Sequence, residues 1–125
     1  MSRVQKLYER LDELQPRLEE RLLAELDRVA GRGHSLYLRR RMTNYFDGRQ
    51  YRRPEVAELE DLANEVIALK EKVGESLESG VTGIILLYED FRDVPWDQRP
   101  HGEEEIELAR RKAQELRSEM ARRAS

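Results

Sequence analysis

An apolar side chain recurs every third or fourth residue through the first 30 positions, and this spacing constrains the fold more than any other feature of the sequence. Positions spaced in this way lie on one face of an α-helix, in a stripe as narrow as a coiled-coil seam. The stripe consists of Val4, Leu7, Leu11, Leu14, Leu18, Leu22, Leu26 and Val29. Pro16 falls inside the stripe without shifting its phase, and a proline kinks a helix because it removes a backbone hydrogen bond. The pattern predicts one helix over about 2–30 with a kink at Pro16, or two nearly collinear helices.

Two helices are predicted in the middle of the chain. A serine N-cap favours a short helix over 36–46. Pro54 suits the first turn of a helix over 54–79, and the acids that follow it favour the positive end of the helix dipole. The apolar seam of this second helix also repeats about every 3.5 residues, and Gly74 or Gly80 marks where the helix weakens or stops.

The last two predicted helices cover 81–92 and 103–122. The first of them is rich in β-forming residues and short enough for a buried strand. Its apolar side chains nevertheless share one helical face, and no other segment offers a strand to pair with it, so we expect a helix at the centre of the core. The final helix begins with acids and ends with arginines, as the helix dipole favours.

These elements define an all-α fold, a small bundle of four to five helices in a single domain over 1–125. The chain shows neither an internal repeat nor a low-complexity linker. Several helices carry stripes only two residues wide per heptad, which bury less surface than an ordinary globular helix. Because a core of this size is marginal for a monomer, we expect a homodimer.

Two absences narrow the functional classes. The 125 residues include no cysteine, which excludes disulfides, thiolate metal sites and cysteine nucleophiles. The longest apolar run, 83–88, is too short to span a bilayer, and the first residues lack the apolar core of a secretory signal. We therefore expect a cytoplasmic protein without a membrane partner, and no motif predicts a cofactor or metal.

Charge is strongly partitioned along the chain. Residues 32–53 contain seven arginines and one aspartate, a balance of +6, whereas residues 54–79 contain eight acids and two lysines, a balance of −6. The positive block could form a local anion-binding surface on a protein whose net charge is only −3. Alternatively, the arginines pair with the following acidic helix, in the same chain or in a second copy.

The arginine block also contains aromatic residues, and this combination makes it the candidate binding segment. Guanidinium groups bind carboxylates or phosphates, and tyrosine is enriched at protein interfaces but also stacks on unpaired bases. The predicted partner-binding residues are Tyr37, Arg39, Arg40, Arg41, Tyr45, Arg49, Tyr51, Arg52 and Arg53. Trp96, in the loop 93–101, adds a second and weaker patch. An alternative interpretation makes the aromatic residues part of the core and the arginines structural.

Catalytic interpretations find little support in the residues. Arg28 stands six positions before His34, a spacing that resembles the Arg-x4–6-His ribonuclease motif of small helical HEPN domains. The resemblance covers these two residues alone and implies, as a remote alternative, a small helical nuclease. Glycines between them would break the helix on which that motif normally sits. His101 precedes three glutamates, which form the acidic first turn of a helix as readily as a metal site.

The acid clusters of the sequence are interpreted as solvated faces. They comprise Glu19–Glu20, Glu58–Glu60–Asp61 and Glu103–Glu104–Glu105. The sequence as a whole predicts a non-catalytic helical interaction or regulatory module, not an enzyme, that binds an acidic protein partner through segment 37–53. A nucleic-acid-binding regulator that places the same arginines on phosphates is the alternative.

Overall fold

The computed structural model describes residues 2–32, 54–90 and 103–124, which form four α-helices. They are α1 (Arg3–Arg32), α2 (Pro54–Val73), α3 (Gly80–Asp90) and α4 (Glu103–Ala124). These three ranges contain no strand, which confirms the all-α prediction. The short helix predicted over 36–46 lies outside the described residues.

Helix α1 is continuous through Pro16, so residues 3–32 form one long helix rather than two. The N–H of Gln5 donates to Oγ of Ser2 at 3.1 Å, and this N-cap satisfies one of the amides that the first helical turn leaves without a partner. Proline tolerates a helical φ angle but leaves the carbonyl four residues earlier without its usual donor. Leu14 and Leu18, on either side of Pro16, are both buried in the core, and this packing keeps the helix continuous across the proline.

Helix α2 ends at Val73, earlier than the predicted limit at residue 79. Gly74 has a φ of 79°, a left-handed conformation that favours glycine. The N–H of Glu75 donates to the carbonyl of Lys70 at 2.9 Å, and that of Gly74 donates to the carbonyl of Glu71 at 3.3 Å. This pair of bonds is a Schellman motif, which closes a helix C-terminus. Of the two predicted stopping points, Gly74 is therefore the one used.

Residues 81–90 are helical, which confirms the helix interpretation over the strand. Helix α3 begins at Gly80, whose φ is 63°. The first turn is so close to the preceding segment that a Cβ on Gly83 would lie 2.4 Å from the carbonyl oxygen of Glu78. The approach of these two backbone segments requires glycine at position 83.

The expected central place of the 81–92 helix in the core is wrong, because α1 occupies it. Helices α2 and α4 both pack extensively against α1, whereas the shorter α3 makes smaller contacts with all three. At about 1.5 Å per residue, the 30 residues of α1 offer about 45 Å of length to neighbouring helices, whereas the 11 residues of α3 offer only about 16 Å. The core comprises Leu11, Leu14, Leu18, Leu22, Leu26, Val29, Leu59, Leu62, Ala63, Val66, Ile67, Leu69, Val81, Ile84, Ile85, Ala109, Ala113 and Leu116.

Ion pairs between helices give their relative directions. Arg10 and Arg21 of α1 pair with Glu65 and Glu58 of α2, in reversed order along the chain. Asp27 of α1 pairs with Arg117 of α4. Glu19, near the middle of α1, pairs with Arg123, near the end of α4. Helices α2 and α4 thus both run antiparallel to α1.

Candidate interaction surface

The predicted binding residues all lie outside the described part of the structure. They are Tyr37, Arg39, Arg40, Arg41, Tyr45, Arg49, Tyr51, Arg52, Arg53 and Trp96. The histidines that catalytic interpretations would need, His34 and His101, lie outside it too. The helices that flank the binding segment are described, and their polar contacts show which charges are already engaged.

Two acids of α2 are engaged by arginines of α1. Nη2 of Arg10 lies 2.9 Å from a carboxylate oxygen of Glu65, and its Nε donates to the same oxygen at 3.0 Å. Nη1 of Arg21 lies 3.8 Å from Glu58. Part of the negative charge predicted to neutralise the arginine block is therefore balanced by α1 instead. Each pair is exposed enough for solvent to weaken it, so the pairs orient the helices more than they stabilise them.

The second half of α1 contains buried acids, which corrects the interpretation of Glu19 as part of a solvated face, whereas Glu20 is exposed as predicted. Glu19 is only 3% exposed and accepts a hydrogen bond of 3.1 Å from Nη1 of Arg123, near the end of α4. Glu25 is buried as well and lies 3.0 Å from Nε of Arg28. Burying a carboxylate is costly unless a cation accompanies it, and the arginines provide one in each case.

The sequence contained a partial signal for these buried acids. Glu19 directly follows the seam residue Leu18, so it faces any helix that covers the edge of the stripe. The sequence could not show that α4 is that helix. In the cluster Glu58–Glu60–Asp61, Glu60 is buried, which corrects the same interpretation for this residue, whereas Glu58 and Asp61 are exposed as predicted.

A buried lysine joins α2 to α3. Lys70 is 5% exposed, and its Nζ donates to Oγ1 of Thr82 at 3.2 Å. The Thr82 hydroxyl in turn donates to the carbonyl of Ser79 at 3.1 Å. Burial lowers the pKa of Lys70, and the negative charges of Glu75 and Glu119 oppose that shift. The amine is enclosed by the α2–α3 corner, so it stabilises the corner rather than meeting a substrate.

One face of the first half of α1 is open. Val4 is 55% and Tyr8 is 38% exposed, and they are the exposed large hydrophobic residues of the described chain. With Asp12 they form a ridge along the helix, because residues four apart lie above one another. Glu9 lies next to this ridge, and both acids are exposed. Within the described ranges neither Glu9 nor Asp12 forms an ion pair, so this face combines apolar surface with unbalanced negative charge.

An open groove on the described surface is lined by both apolar and charged side chains. A groove of about 550 Å³ between α1 and α2 is lined by apolar Leu14, Pro54 and Leu62 and by charged residues such as Arg17 and Asp61. In residues 2–32, 54–90 and 103–124, no three histidine, aspartate or glutamate side chains are grouped closely enough to hold a metal ion. The described surface thus offers charged faces for contact with another macromolecule rather than an enclosed pocket.

Comparison with known proteins adds no assignment. No protein-family model matches the chain, and neither a curated protein nor a solved structure is significantly similar to it. Among the described helices, none is both long and apolar enough to cross a membrane.

Proposed function

We propose that this protein is a non-catalytic helical interaction module, which binds an acidic protein partner through its Arg/Tyr-rich segment, residues 37–53. The observation that supports this most is that arginines of α1 form ion pairs with glutamates of α2. Glu58 and Glu65 pair with Arg21 and Arg10, so these two acids are already balanced without the arginine block. Fewer acids of this chain then remain for the arginines of the segment, which favours an acidic partner as a source of negative charge.

The helices on either side give the segment a firm base. It follows the last turn of α1 and ends where Pro54 begins α2. Pro54 itself lines the α1–α2 groove beside Leu14 and Arg17. The buried core reaches Val29 on α1 and Leu59 on α2, each within about two turns of the helix end on the segment's side. A binding segment attached to a rigid core is a common arrangement for recognition.

The composition of the segment suits protein recognition. Arginine binds carboxylates with two parallel hydrogen bonds, and arginine and tyrosine are both enriched among the residues that dominate interface energies. The same side chains can grip phosphates and stack on bases, so a nucleic-acid-binding regulator is the alternative. The two partners differ in salt dependence, because phosphate contacts release counterions and weaken steeply between about 50 and 200 mM salt.

Charge reversal tests the proposal. The variant Arg39→Glu, Arg40→Glu, Arg41→Glu should lose capture of its partner from native lysate while it retains its helical circular dichroism. The matched control reverses three exposed cations on α1 and α4, namely Arg3→Glu, Arg110→Glu and Arg111→Glu, and should bind as the unmodified protein does. If the triple variant unfolds, the arginines are structural and the proposal is wrong. If nuclease treatment abolishes capture, the nucleic-acid alternative is correct.

We also propose that the protein is a homodimer. The apolar seam of α1 is buried from Leu11 to Val29, but Val4 at its start is mostly exposed. An exposed continuation of a buried seam supports pairing with another chain. The cytoplasmic location expected from the sequence remains a prediction.

A further inference from the structure

The open face of α1, defined by Val4, Tyr8, Glu9 and Asp12, lies apart from the described ion pairs between α1 and α4. Arg123 pairs with Glu19, and α4 ends one residue later at Ala124. Since α4 runs antiparallel to α1, it stops beside the middle of α1. Within the described residues, both ion pairs between α4 and α1 lie on the later turns of α1, at Glu19 and Asp27.

The chemistry of the open face indicates what covers it. Val4 and Tyr8 provide an apolar ridge, and Glu9 and Asp12 add two negative charges without an ion pair in the described ranges. A complementary surface must therefore offer apolar side chains together with cations. Pairing this face with the same face of another α1 would bring acids against acids, which disfavours direct α1–α1 contact.

One segment of this chain has the required composition. Residues 37–53 combine six arginines with three tyrosines and a phenylalanine, against a single aspartate. We propose that the open face of α1 binds the Arg/Tyr-rich segment of a second copy of this chain. This inference rests on the proposed function, because it names a second copy as the acidic partner.

A twofold dimer satisfies both surfaces at once. The segment of one protomer binds the open face of its partner, and the partner's segment binds the open face of the first. A closed pair of this kind leaves neither surface free to recruit further copies. It also places Tyr and Phe side chains on Val4 and Tyr8, so apolar burial accompanies each charge contact.

The test is a charge exchange between two variants, followed by size-exclusion chromatography with light scattering at about 50 µM. The unmodified protein should have twice the 14.8 kDa mass of one chain. The face variant Glu9→Lys, Asp12→Lys and the segment variant Arg39→Glu, Arg40→Glu, Arg41→Glu should each be monomeric, with the dimer weakened at least about tenfold. An equimolar mixture should form dimers again, because each reversed segment then meets a reversed face.

The controls separate this inference from the proposed function. The variant Glu20→Lys, Glu71→Lys changes two exposed acids away from the open face and should remain dimeric. Circular dichroism must show that every variant is folded. A monomeric unmodified protein overturns the second-copy assignment, and so does a dimer that is insensitive to the face variant. If such a monomer still captures an acidic protein through Arg39, Arg40 and Arg41, the proposed function stands and the second-copy assignment alone fails.

Discussion

The two halves of α1 carry the same apolar stripe, and only the first half leaves part of it exposed, at Val4, although its Leu11 and Leu14 are buried. From Leu18 to Val29 the seam is buried, and the acids Glu19 and Glu25 beside it are buried with arginine partners. At the start of the helix, Val4 and Tyr8 are exposed, and neighbouring acids have no ion pair in the described ranges. Within the described residues, α4 pairs with the later turns of α1, at Glu19 and Asp27.

This comparison shows what a heptad-like stripe specifies. The spacing fixes which face of a helix seeks a partner, but the length of the neighbouring helix decides how much of that face is satisfied within the chain. A stripe that extends beyond its internal partner becomes a binding surface. The following predictions test the contrast, beginning with the largest expected effect.

Shortening a seam side chain to alanine should destabilise the protein much more in the second half of α1 than at the start of the helix. Leu22 is fully buried, so Leu22→Ala removes core contacts and leaves a cavity, at a cost of about 2–5 kcal/mol in the free energy of unfolding. Val4 is 55% exposed, so Val4→Ala should change that free energy by less than about 0.5 kcal/mol in the monomer. Urea denaturation at low micromolar concentration measures both. Equal losses would show that both halves are buried.

Removing the cation at the α4 end should destabilise the covered half. Arg123→Ala leaves the buried carboxylate of Glu19 without the guanidinium that pairs with it, which should cost about 1–3 kcal/mol. The control is Arg110→Ala, because the pair of Arg110 with Glu107 is exposed on both sides and should contribute less than about 0.5 kcal/mol. The same denaturation measurement compares them, and indistinguishable effects would contradict the contact between α4 and the middle of α1.

The buried charge of Lys70 should behave differently from that of Glu19, because Lys70 contacts a hydroxyl rather than an opposite charge. Burial lowers the pKa of Lys70 in the folded protein below its value in the unfolded chain. The unfolded state then binds more protons between these two pKa values, so stability contributed by this residue rises as pH increases through that window. The measurement is the free energy of unfolding as a function of pH, for the unmodified protein and for Lys70→Met. The contribution of Lys70 is the difference between the two curves. A difference that falls with increasing pH would contradict the assignment.

The smallest effect is expected at the start of α1. Ser2→Ala removes the oxygen that accepts from the N–H of Gln5, and such caps contribute about 1 kcal/mol to a helix end. Because this end lies outside the main core, we expect faster amide hydrogen exchange over residues 3–6 and almost no change in the global unfolding midpoint. A large fall in that midpoint would show that the first turn is part of the cooperative core.

Much of the fold could be predicted from the sequence because its determinants are local. The spacing of Leu11 to Val29 identified α1, and Gly74 was one of two predicted ends of α2. The central role of α1 could not be predicted, since it depends on how neighbouring helices share one long face. The burial of Glu19 and Lys70 was missed for the same reason, because each becomes buried only when a distant helix arrives.

Of the two candidate binding surfaces, only one could be predicted from the sequence. Composition and charge identified the Arg/Tyr-rich segment, which lies outside the described residues. The open face of α1 was not predicted, because Val4 belongs to the same stripe as the buried seam residues and the spacing alone does not distinguish them. Sequence periodicity contains no information about where a neighbouring helix ends.

Hydrogen exchange at two protein concentrations tests directly whether a second copy of the chain covers the open face of α1. At about 1 µM and about 100 µM, the covered half of α1, residues 18–29, should show the same strong protection of its backbone amides, because its partners belong to the same chain. Residues 4–12 should be protected more strongly at the higher concentration, when a second copy covers the open face. Protection over residues 4–12 that does not depend on concentration would contradict the account.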